Sequence, residues 1–237
     1  MDLTWLIIII VIAFLLFVCF GLAVANFALD KFYDVFKEMD KVYAQTELSP
    51  WDYISMLNSE HFDDEIVVKT ISNIAEDAYS KKTLYLSGAT QGSHSIASYA
   101  IISHEMGHAL QDKRGNKLKT LNFLRRFGRI LGLFLMPLFI AGIILMVGWP
   151  SLFYVGVGLL AGCVFILLLA LFIKLRMIAI EKQASAFAID FLKEILEEDQ
   201  IKLCKKLLDA ARLSYWADFF RTLLAWTFMT KKNKLFS

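Results

Sequence analysis

Two long stretches of this chain carry no charged side chain. Leu3 to Leu29 contains no Asp, Glu, Lys or Arg, and neither does Ile130 to Ile173. In a bilayer every backbone polar group must be bonded within the protein, and a helix needs about 20 apolar residues to cross the hydrocarbon. The first stretch is long enough for one such helix and the second for two. The second breaks at Gly148-Trp149-Pro150-Ser151, turn chemistry that makes it a helical hairpin. Pro137 predicts a kink in its first arm. The alternative, a soluble hairpin, needs a far larger domain to cover it. A hydrophobic fraction of 57% and a mean hydropathy of +0.55 are likewise too apolar for an ordinary soluble domain.

The flanks orient these spans. Lys113, Arg114, Lys117, Lys119, Arg125, Arg126 and Arg129 precede the second span, and Lys174, Arg176 and Lys182 follow the third. The hairpin tip has no Lys or Arg, so the positive-inside rule places 30–129 and the segment after 173 in the cytoplasm, in what is expected to be a bacterial plasma membrane. Ala23-Val24-Ala25 resembles a signal-peptidase site. The lack of a positive n-region and the length of the apolar run favour a retained anchor. The net charge of +2 points to neither nucleic acid nor a strongly acidic partner. Cys19, Cys163 and Cys204 are scattered, which excludes a disulfide framework and leaves structural roles.

These readings divide the chain into an anchor (1–29), a segment bearing the chemistry (30–129), the hairpin (130–173) and a last helical segment (174–237). Asp30 to Lys41 reads as a charged continuation of the first helix. Ser49-Pro50-Trp51-Asp52 is a helix start, with Ser as N-cap and Pro at the first position, expected to run to about Asn58. Glu60 to Glu65 reads as an acidic loop with a solvated His61. Ile66–Ile71 and Lys82–Ser87 are strand candidates, with polar turn residues between them and a loop from Gly88 to Ser93. A long helix is expected from near Ser95 to about Gln111. Leu213 to Met229 is apolar but holds Asp218 and Arg221, with Lys231, Lys232 and Lys234 behind it. It fits a packed or interfacial helix better than a fourth span.

His104-Glu105-Met106-Gly107-His108 lies on the long helix. Positions i and i+4 share a helix face, so two imidazoles can meet at one point that suits zinc, with a carboxylate beside them to act as a base on water. The competing reading is a helix with two surface histidines. A catalytic zinc takes three protein ligands, and neither His94, at the helix start, nor His61 is well placed. Glu181 fits as the third ligand. Positions i+3, i+4 and i+7 from it are Ala184, Ser185 and Ala188, a flat face that lets a second helix approach. Ser185 is placed to hydrogen-bond a ligand histidine. The alternative is an alanine packing stripe beside an incidental exposed Glu. Two crossings between residues 108 and 181 keep both halves of the set on one side. At 1.5 Å per residue, Glu181 is roughly 12 Å along a straight helix from Ile173.

His104-Glu105-x-Gly107-His108-Ala109-x-Gln111, two spans, and then Glu181-x-x-Ala184-Ser185 resemble the YugP-type family of neutral membrane zinc metallopeptidases and, more distantly, the HtpX-type proteases. The likeness extends over the anchor, Leu84-x-Leu86-Ser87, the hairpin and Asp209-Ala210-Ala211. It departs at two places. The family's D-H-Y-D-P-like turn reads Asp77-Ala78-Tyr79-Ser80-Lys81 here, and Ala179 and Gln183 stand where Pro and Asn are frequent.

The resemblance implies a mainly α membrane protein, with a zincin-like metalloprotease domain, a small β element and about three transmembrane helices. It also leans towards a fourth span at 213–229. The implied activity is that of a zinc endopeptidase of the H-E-x-x-H plus Glu type, with Zn2+ on His104, His108 and Glu181 and with Glu105 as the base. Leu84, Tyr85 and Leu86 are expected to pair with an extended peptide or membrane-protein substrate, and His94, Arg212 and Tyr215 are candidate oxyanion donors. Two rivals compete, an inactive zinc-binding membrane scaffold and a zinc hydrolase of a non-protein amide. An intact Glu105 speaks against the scaffold.

Overall fold

The computed structural model describes residues 3–72, 77–115 and 117–223. The protein is mainly helical with one small sheet. Its elements are α1 (Leu3–Met39), α2 (Pro50–Phe62), β1 (Val67–Ile71), β2 (Ala78–Ser80), β3 (Thr83–Ser87), α3 (Gly88–Gly92), α4 (Ile96–Gly115), α5 (Lys117–Gly148), α6 (Phe153–Leu192) and α7 (Glu198–Leu223). A 3-10 turn, Pro150–Leu152, joins α5 to α6. Helices α1, α5 and α6 are each long and apolar enough to cross a membrane. The chain forms two compact units. One contains residues 3–29, 123–177 and 214–223, and the other contains 30–122 and 178–213.

In the first unit the expected hairpin is present, and α5 runs helically through Pro137. A Cβ on Gly156 would sit 2.7 Å from the Gly142 carbonyl oxygen, and one on Gly142 would sit 3.2 Å from the Gly156 oxygen. Paired small residues of this kind let membrane helices approach backbone to backbone. Leu135, Cys163, Ala170 and Leu223 form a buried cluster, with Phe17 and Phe219 packed against it. Lys174 is only 3% exposed. Its Nζ lies 2.9 Å from Asp218 Oδ2 and over the Tyr215 ring. Asp218 is therefore engaged by α6. α7 is described to Leu223, and the remainder of the 213–229 segment lies outside the described residues.

In the second unit Ser49 caps α2 reciprocally with Asp52, a capping box that satisfies two orphan donors. The helix outlasts its expected end. Glu60, His61 and Phe62 complete its last turn, and Asp63 ends it at φ 54° with its N–H on the Asn58 carbonyl. His61 is not solvated as expected; its ring packs 4.9 Å from that of Phe191, and its Nε2 is buried without a hydrogen-bond partner.

The sheet has the order β1-β3-β2. β3 runs parallel to β1 and antiparallel to β2. The sequence reading missed β2 because its two-residue turn to β3 has no Asn-Gly signal. Lys81 and Lys82 occupy it at φ 48° and 60°, left-handed conformations that the type I′ turn demands and that Lys adopts at a cost. The stretch 88–93 is also not the expected loop, because Ser87 caps a helical turn by accepting from the Thr90 N–H. The core holds Tyr53, Leu57, Leu84, Leu86, Tyr99, Ile102, Met106, Leu192 and Leu207. It fixes α4 against the sheet, α2 and the end of α6.

Candidate metal centre

His104 and His108 sit one turn apart on α4, with ring centroids 4.8 Å from each other. Glu181 comes from α6. The two helices meet at Gly107, where an added Cβ would lie 2.4 Å from the Ala184 carbonyl oxygen. Ala184 and Ala188 are fully buried, so the small face beside Glu181 is packed. Glu181 is itself only 1% exposed, and its Oε2 lies 3.4 Å from His104 Nε2 and 3.1 Å from His108 Nε2.

Each ring nitrogen on the far side is also held. His108 Nδ1 is 3.0 Å from Gln111 Oε1, and His104 Nδ1 is 3.3 Å from Ser185 Oγ. The Gln111 amide nitrogen donates to the Ile180 carbonyl, 2.7 Å away, and to Gln183 Oε1, tying α4 to α6. The amide oxygen of Gln111 takes the Nδ1 N–H of His108, so Nε2 is the nitrogen turned towards Glu181. Burial opposes charge on His108, but the hydrogen bond and charge of Glu181, aided by Glu105 and Gln111, outweigh it and raise its pKa to about 9.

The donor chemistry fits zinc. Two imidazole nitrogens and one carboxylate oxygen lie within 4.8 Å of one another. Ligands of a tetrahedral zinc at about 2.1 Å are separated by roughly 3.4 Å along each edge, against 3.4 Å from Glu181 to His104 and 3.1 Å to His108. A second such group, Glu60, His61 and Glu194, is largely exposed.

Glu105 lies outside the donor group. Its Oε2 accepts the backbone N–H of Tyr79 at 2.8 Å, and the buried Tyr79 side chain reaches Asp112, one further stretch along α4. Asp77 accepts hydrogen bonds from the Ser87 N–H and the Thr90 hydroxyl. Burial pushes its pKa up to about 6, against the lowering effect of those bonds.

Several expected contributors have other partners. β3 is the middle strand, so Leu84 and Tyr85 are already paired on both edges and Leu86 is paired with β1. Adding a substrate strand to it would displace β1 or β2; the outer strand on the Glu105 side is β2. His94 precedes α4, stacks on Tyr43 and faces the Tyr99 hydroxyl. The helix from Ile96 to His104 alone rises about 12 Å, which sets His94 away from the ligand histidines. Arg212 is engaged by Asp209, and Tyr215 packs under Lys174. Gln111, Tyr79 and Asp77 stand in the sequence pattern without a chemical role attached to them. Gln111 was findable as the i+3 neighbour of His108, whereas the other two depend on β2.

A family model described as "Putative neutral zinc metallopeptidase" matches residues 5–230. Neither a curated protein nor a solved structure matches the chain.

Proposed function

The chain belongs to this family of neutral zinc metallopeptidases, and from that premise we propose that it is a membrane-anchored zinc endopeptidase of the H-E-x-x-H plus Glu type. The observation that carries the proposal is the convergence of His104, His108 and Glu181 from two helices, with each ring backed by a polar side chain and Glu105 beside them. Zinc, when bound there, supplies Lewis acidity that activates water and polarises the scissile carbonyl. Gln111 and Ser185 hold the two rings in orientation. Glu105 takes the proton of the attacking water as the new C–O bond forms, then gives it to the leaving nitrogen as the C–N bond breaks. An extended substrate lies alongside β2, the outer antiparallel strand next to Glu105.

The basic flanks support a site on the cytoplasmic face of a plasma membrane. Substrates are then membrane proteins or their juxtamembrane segments. The test is turnover of a peptide library by detergent-purified protein, with and without chelator. Chelation abolishes cleavage and added zinc restores it, whereas Glu105→Gln keeps the metal and loses at least about 100-fold in kcat. Chelator-resistant cleavage, or a fully active Gln variant, rules the mechanism out. Equal cleavage of soluble and bilayer-tethered peptides counts against the substrate assignment alone.

A further inference from the structure

The short strand β2 touches the motif helix through its backbone, and one half-buried carboxylate holds that strand in place. We infer that Asp77 is a positioning residue that latches β2 so that the Tyr79 N–H aims the Glu105 carboxylate. This inference rests on the hydrolytic reading of the site.

β2 has three residues, paired only through Ala78, Tyr79 and Ser80. A ladder this short, closed by a turn of two left-handed lysines, does not hold its own position. Two attachments beyond the ladder do. At one end Asp77 Oδ1 accepts the Ser87 N–H, continuing the bonding of the sheet by one side-chain step. Its Oδ2 accepts the hydroxyl of Thr90, which is fully buried, and Thr90 is fixed in turn by the Ser87 cap of α3. At the other end the Tyr79 hydroxyl accepts from the Lys82 N–H at 3.0 Å and donates to Asp112.

Between these anchors the Tyr79 N–H donates to Glu105 Oε2. The terminal torsion of a glutamate is broad. A fixed donor on one oxygen removes that freedom and leaves Oε1 to face the water whose proton it takes. Displacing a base by about an ångström can cost on the order of 100-fold in rate, so a carboxylate two residues before Tyr79, just ahead of β2, controls the reaction without touching the substrate.

The experiment uses the full chain in detergent and compares wild type with Asp77→Ala, Asp77→Asn and Thr90→Val. Two readouts are taken, amide hydrogen exchange across 77–87 in the metal-free protein, and kcat and KM of the zinc-loaded protein alongside its zinc content. Asp77→Ala is expected to speed exchange in 78–80 by about tenfold or more and to lower kcat about 10- to 100-fold, with zinc retained and KM within about twofold. Asp77→Asn keeps an acceptor for the Ser87 N–H and is expected to recover most of both, with Thr90→Val in between. Unchanged exchange in Asp77→Ala, or unchanged kcat at full zinc loading, overturns the latch. If wild type hydrolyses nothing, the hydrolytic reading fails while the exchange data still decide the latch. If Asp77→Ala does not fold, Thr90→Val decides it, and unchanged exchange or unchanged kcat at full zinc loading in that variant overturns the latch.

Discussion

A single methyl group on Gly107 would fall 2.4 Å from the Ala184 carbonyl oxygen, a distance no side chain tolerates. The glycine between Glu105 and His108 is therefore the contact that lets α4 and α6 bring their donors together. Gly107→Ala is expected to push the helices apart and cost on the order of 1–3 kcal/mol of stability, with zinc content falling sharply. A Gly107→Ala protein with full zinc and an unchanged melting temperature contradicts this packing.

Asp77 supports a prediction of a different kind. Its folded pKa is raised to about 6, so its contribution to folding is fullest below the unfolded value of about 3.9 and is lost as pH rises through the folded value. Asp77→Asn should therefore gain in melting temperature relative to wild type as pH goes from about 4 to about 7. A constant difference across that window shows that the carboxylate is not penalised.

At the scale of elements, what was legible in the sequence followed signals with a local cause. Ser49 and Asp52 marked the start of α2, the charge-free runs marked the apolar helices, and the pairing of Glu181 with Ala184 and Ala188 marked the helix face at the centre. What was hidden depended on long-range context. The stretch after Gly88 is helical because Ser87 caps it and because Gln91 is buried, donating to the Leu86 carbonyl. β2 is a strand because Asp77, Tyr79 and Asp112 hold it, although its turn is Lys-Lys. His61 sits on an aromatic ring because α2 continues for one more turn to meet Phe191. Replacing Lys81-Lys82 with Asn-Gly supplies the residues that a type I′ turn prefers and should stabilise the protein by about 1 kcal/mol, read as a rise in the denaturation midpoint. A loss of stability would mean that the Lys82–Glu65 ion pair, 2.6 Å long, outweighs the backbone cost.

Over the whole molecule, the sequence divides its labour between apolar helices long enough to cross a bilayer and a second unit that brings His104, His108 and Glu181 together. Composition made the first part legible and a five-residue motif the second. The missing link was which strand lies beside Glu105, because sheet order is not written in any one segment. The account stands on zinc shared between α4 and α6. The most direct measurement is the metal content of the purified full chain, wild type against Glu181→Ala, by elemental analysis. Wild type is expected to carry zinc in equimolar amount that a chelator removes, and Glu181→Ala to carry almost none. Equal zinc in the two proteins, or none in wild type after loading, contradicts the account.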